Sequence, residues 1–188
     1  MMIKFKPDGA SPSRYAAFMG LLFAVSAALN WLESVFSAAL PAGMRIGLSN
    51  VAVMLAILCV NIPSALLLTL LKAGFVLLTR GVSAGVMSLC GSLAAFCVTA
   101  LLFRGTMASY IAVSVSAALA HSLGQLCAAW LLLGTASVFA YAPILAASSA
   151  AAGILTGIVL KTVFPKAVRA LGRNGDRNWG RSGGTGGN

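Results

Sequence analysis

Hydrophobic residues run along this chain in long blocks, and polar residues interrupt them at only a few places. Between about Tyr15 and Phe164 the blocks have room for about six helices of ~20–25 residues, the length that crosses a bilayer. No short alternating segments of the kind a membrane barrel needs are visible, so the spans are expected to be helical. They are read as Tyr15–Val35, Ile46–Val60, Ser64–Thr79, Ser83–Phe103, Met107–Leu133 and Ala142–Phe164. Asn61-Ile62-Pro63 reads as a tight turn with Pro63 in the first turn of the third span. Gly134 to Tyr141 reads as an uncharged outer loop.

Composition sharpens this picture. The chain is 60% hydrophobic and 9% charged, with a mean hydropathy of +0.96, whereas soluble domains carry about 25% charged residues. The expected fold class is therefore an all-α integral membrane protein, a six-transmembrane-helix bundle. Three parts are expected: residues 1–13 as a cytoplasmic lead, 14–164 as the six-helix membrane domain, and 165–188 as a cytoplasmic tail. That tail is basic, then Gly-rich (RSGGTGGN), a composition that reads as disordered. The basic start precedes a long first span without a small-residue cleavage site, so that span is expected to be retained.

The net charge of +10 invites comparison with nucleic-acid-binding proteins, but its placement points to a membrane. Lys4, Lys6 and Arg14 precede the first span, Arg104 closes the fourth, and Lys161, Lys166, Arg169, Arg173, Arg177 and Arg181 end or follow the last. This is the positive-inside arrangement, which places both termini in the cytoplasm and the protein in the cell membrane, with no nucleic-acid partner. The basic tail is also suited to anionic lipid.

The stretch Asn30–Asn50 (NWLESVFSAALPAGMRIGLSN) is a polar knot in this apolar body. It holds Glu33, the one acid between Asp8 and Asp176, together with Arg45 and a Pro41-Ala42-Gly43 break that no helix continues through. Ionisable groups inside a membrane are costly and mark functional sites. Under the inferred topology, Glu33, Arg45, Asn50, Lys72, Arg80, His121 and Gln125 all fall at the midplane or in the outer half. Ser114, His121 and Gln125 share one helix face by their spacings of seven and four. The expectation is one polar cavity open to the outside with a basic bias, suited to a polar or anionic ligand. Each residue also has a plainer role: Glu33 pairing with a base, Arg80 snorkelling to headgroups, His121 bonding a neighbouring helix, Asn50 capping a span.

Other chemistry is not signalled. There is no G-x-x-x-x-G-K-[ST] phosphate loop, no paired-aspartate site for Mg²⁺ and diphosphate, and no nucleophile–histidine–acid set. Cys59, Cys90, Cys97 and Cys127 lie in apolar segments without metal-site spacing and read as small hydrophobes. No catalytic residue, metal or cofactor is expected. Ala16, Gly20, Ala24 and Ala28 recur at four-residue intervals and put small side chains on one face of the first span. Internal packing is the plain reading of that stripe.

Four segments carry a family resemblance: LNWLESVF, PAGMRIGLSN, LLKAGFVLLTRG and AHSLGQLCAAWLLLG. They resemble the Gx transporter family, also labelled heptaprenyl diphosphate synthase component I, whose members are similar to the S components of energy-coupling factor (ECF) transporters. The resemblance implies an S-component-like bundle that captures a small molecule from outside. It also implies that the Ala16–Gly20–Ala24–Ala28 face docks on a transmembrane coupling subunit joined to ATPases. Where the family has an Arg in the third span, this chain has Lys72, which keeps the charge and loses the bidentate geometry. The family's second label implies an alternative: a non-catalytic membrane component associated with prenyl diphosphate or quinone biosynthesis. A structural subunit of a membrane complex is a third class.

Overall fold

The computed structural model describes residues 12–37, 49–105 and 109–182. Six α-helices appear there: α1 (Pro12–Ser37), α2 (Asn50–Cys59), α3 (Ile62–Arg80), α4 (Val82–Gly105), α5 (Tyr110–Leu133) and α6 (Ala142–Ser182). A 3-10 segment, Ala136–Tyr141, stands where the sequence suggested an irregular outer loop. Five of the helices are long and apolar enough to cross a membrane. The chain is a helical, multi-pass membrane protein.

The exception is α2. Its ten residues rise about 15 Å, roughly half of a ~30 Å hydrocarbon core. Every residue in it is buried, because NVAVMLAILC is apolar around its whole circumference and an all-apolar helix belongs in an interior. It packs against α1, α3, α4 and α6 and forms the centre of the hydrophobic core with Leu68, Val113 and Leu160. The second span, short already in the sequence reading at Ile46–Val60, is thus, in its described part, a half-length core helix.

Local chemistry sets the ends. Asn61 caps α3 by accepting from the Ser64 amide at 2.8 Å, with Pro63 in the first turn. Ser109 caps α5 in the same way at 3.2 Å. Gly81 (φ +87°) and Gly134 (φ +66°) close α3 and α5 in a conformation that side chains with a Cβ rarely adopt.

Three contacts in the same order along both helices show that α1 and α3 run parallel. Tyr15 bonds Ser64 at 2.6 Å, the Phe23 and Phe75 rings meet edge-on at 6.2 Å, and Arg80 Nη2 donates to the Asn30 carbonyl at 2.8 Å. Helix α2 therefore runs back toward the Asn61 end of the bundle, from the Glu33-capped Ser49 to the turn before α3. From α3 onward the helices alternate: Gly91 of α4 lies against His121 of α5, and Gly153 of α6 against Val115. One end of the bundle then carries Arg80 and the 3-10 segment; the other carries Asn61 and Ser109.

Helix α6 is described to Ser182, with Pro165 inside it. Pro165 lacks the amide for its own i−4 bond, and its ring crowds the carbonyl four residues back. Residues 183–188, with the first eleven, lie outside the described residues.

Candidate functional site

Two polar groups are built into the bundle. The first joins α1, α2 and α3. Lys72 Nζ donates to Asn50 Oδ1 at 2.8 Å, and both side chains are buried. A lysine at mid-helix costs ~2.5–3.5 kcal/mol to insert, and a fixed acceptor offsets part of this. Glu33, also buried, accepts from the Ser49 amide at 2.8 Å. Ser49 precedes α2 and makes no side-chain cap of its own, so a carboxylate from α1 caps α2 across space. A negative charge there also complements the positive end of the helix dipole. At the bundle end, Arg80 is committed to the Asn30 carbonyl.

The second group lies between α4 and α5. Ser114, His121 and Gln125 are buried along α5. Gly91 makes the close approach of α4 possible: a Cβ there would stand 2.7 Å from Gln125 Cγ and 2.8 Å from the His121 carbonyl oxygen. Gln125 Nε2, Ser92 Oγ and Ser114 Oγ are buried without a hydrogen-bond partner. Such groups cost about 1–3 kcal/mol each, so they are uncommon in a finished core.

Beside Gln125 lies a cavity of about 590 Å³. Its wall includes Met87 of α4, Gln125, Ala129 and Leu133 of α5, and Val138 and Tyr141 of the 3-10 segment. A second space of about 150 Å³ adjoins it between α5 and α6, and the two share Leu126 and Leu145.

Of the residues expected to line one cavity, Gln125 is on this wall. Glu33, Asn50, Lys72 and Arg80 are gathered instead into the α1–α3 group, and His121 packs on Gly91. Arg45 lies outside the described residues. Ala16, Gly20, Ala24 and Ala28 are all exposed, and nothing stands within 4 Å of a Cβ at Gly20. The stripe is therefore not internal packing; α1 presents it outward.

Sequence reasoning missed the Ser122–Ser149 hydroxyl pair that joins α5 to α6, and the 3-10 segment as a cavity wall. A signal existed for the first: Ser122 and Ser149 each stand in a helix beside a small residue one turn away, Ala118 and Gly153. None existed for the second, since ASVFAY has no pattern that separates a loop from a wall.

The family model described as heptaprenyl diphosphate synthase component I matches residues 22–163, most of the chain. The match takes in both polar groups and the cavity, and leaves Ala16, Gly20 and the basic tail outside. No curated protein and no solved structure matches the chain.

Proposed function

The chain belongs to the heptaprenyl diphosphate synthase component I family, and on that footing we propose that it is a membrane subunit that binds a small molecule in the manner of an ECF S component. The observation that carries this reading is the 590 Å³ cavity with a buried, unsatisfied amide on its wall. Cavities of this size suit small ligands, particularly apolar ones fixed by a few placed polar groups. The α1–α3 polar group has a structural role in this reading: Glu33, Asn50, Lys72 and Arg80 tie α1, α2 and α3 together. His121 sets the depth at which α5 meets Gly91. The exposed small-residue face of α1 is proposed as the docking surface for a transmembrane coupling subunit, since small residues let helices approach closely in lipid.

The family description supports a second reading, in which the chain is the membrane partner of a separate prenyl diphosphate synthase subunit. Native mass spectrometry of the full chain purified from its own membranes separates the two. A specific small-molecule adduct with a co-purifying ATPase pair is expected. Co-purification of a soluble prenyltransferase in place of the ATPases moves the assignment to the second reading. Adducts of bulk bilayer lipids alone, with no partner, overturn both.

A further inference from the structure

The wall of the cavity decides what kind of molecule it can hold. Among the described residues no charged side chain lines either the 590 Å³ space or the adjoining 150 Å³ space. Lys72 and Arg80 are engaged elsewhere, with Asn50 and the Asn30 carbonyl. An anion placed here would leave water without a counter-charge, which apolar walls do not compensate.

Gln125 supplies the one deep polar contact. It is 4% exposed, and its Nε2 has no hydrogen-bond partner. Thr135, Ser137 and Tyr141 are polar too, but they stand exposed at the rim. A primary amide both donates and accepts, so its natural complement is a hydroxyl or a carbonyl rather than an ion.

The second space gives the ligand its shape. From the shared Leu126 and Leu145 it runs between α5 and α6 past Leu119 to Leu123, which is 60% exposed. The Ser122 hydroxyl on this path is already bonded to Ser149. Apolar side chains therefore stand between the Gln125 cavity and the outer surface of the bundle, where a membrane protein meets acyl chains.

Resting on the small-molecule reading above, we infer that the cavity takes an uncharged amphiphile, its hydroxyl or carbonyl head at Gln125 and its hydrocarbon tail leaving sideways between α5 and α6. The ligand reaches the site from the bilayer, with the 3-10 segment covering the cavity on the Arg80 end.

The test uses the full chain in lipid nanodiscs with a diazirine-bearing hexadecanol and its phosphate monoester, followed by peptide mapping. The alcohol should label residues 119–145 saturably, and the phosphate ester should label them far less. Gln125→Met, close in volume, should weaken labelling by about five- to tenfold, as loss of one hydrogen bond does. Ala129→Phe, which fills the cavity and leaves Gln125 in place, should abolish it. Labelling unchanged in both variants would reduce the path to ordinary lipid contact and overturn the inference. Preference for the phosphate ester would overturn the uncharged head while leaving a small-molecule site in place. No saturable labelling by either probe would remove the site, and the binding function with it.

Discussion

Lys72 Nζ reaches Asn50 Oδ1 at 2.8 Å, and this bond ties the middle of α3 to the first turn of α2. The half-length helix is thereby anchored at both ends, by Asn50 and the Glu33 cap at its start and by the tight Val60–Asn61 turn at its finish. A buried ammonium and a ten-residue helix would each be unfavourable alone in lipid; together they satisfy one another.

Asn50→Leu should therefore cost about 1.5–3 kcal/mol, because it strips an acceptor from a buried cation. Lys72→Met with Asn50→Leu should recover part of that loss, since the buried cation whose acceptor was removed is then gone as well. Denaturant unfolding in detergent measures both. A double variant no more stable than Asn50→Leu alone would mean that the bond does not anchor α2.

Gly91 and Gly20 should respond in opposite directions to the same change. Gly91→Ala places a methyl 2.7 Å from Gln125 Cγ, and overpacking of that kind costs about 1–3 kcal/mol. Gly20→Ala meets nothing within 4 Å and should stabilise α1 by up to about 1 kcal/mol through helix propensity. The same unfolding assay reads both; equal effects would contradict the close α4–α5 approach.

Docking on the α1 face should be sensitive to bulk without affecting the fold. Gly20→Leu or Ala24→Leu is expected to abolish partner co-purification while the isolated protein stays monodisperse and as stable as the wild type. Intact co-purification would take α1 out of the interface. Loss of folding would contradict its exposure.

The orientation of the bundle follows from charge. Ten of the thirteen Lys and Arg residues lie at the termini, at Arg104 or near the end of the last span, and only Arg45, Lys72 and Arg80 lie elsewhere. By the positive-inside rule we propose that the Ser109 end faces the cytoplasm. In a cysteine-free background, an impermeant thiol reagent on intact cells should reach Ser137→Cys and not Ser109→Cys. The reverse result would invert the topology and close the cavity's Arg80 end to the outside.

The primary sequence by itself determines that this chain is a helical membrane protein, because long uncharged apolar blocks have no other stable home. The family resemblance was legible at Glu33, Arg45, His121 and Gln125, with Lys72 a departure from it, and a common depth for these residues was an expectation drawn from a rise of about 1.5 Å per residue. Depth says nothing of azimuth or partner. Lys72 and Gln125 both fall in the membrane interior, yet packing turns Lys72 toward α2 and Gln125 toward α4 and the cavity. Hydropathy likewise cannot distinguish a ten-residue core helix from a spanning one, because burial in protein and burial in lipid select the same residues. The stripe on α1 is ambiguous for the same reason: small residues suit both an internal seam and an outward docking face. Which polar groups meet, which helix fills the centre and which face is left open depend on contacts between helices distant in the chain, so only the tertiary structure decided them.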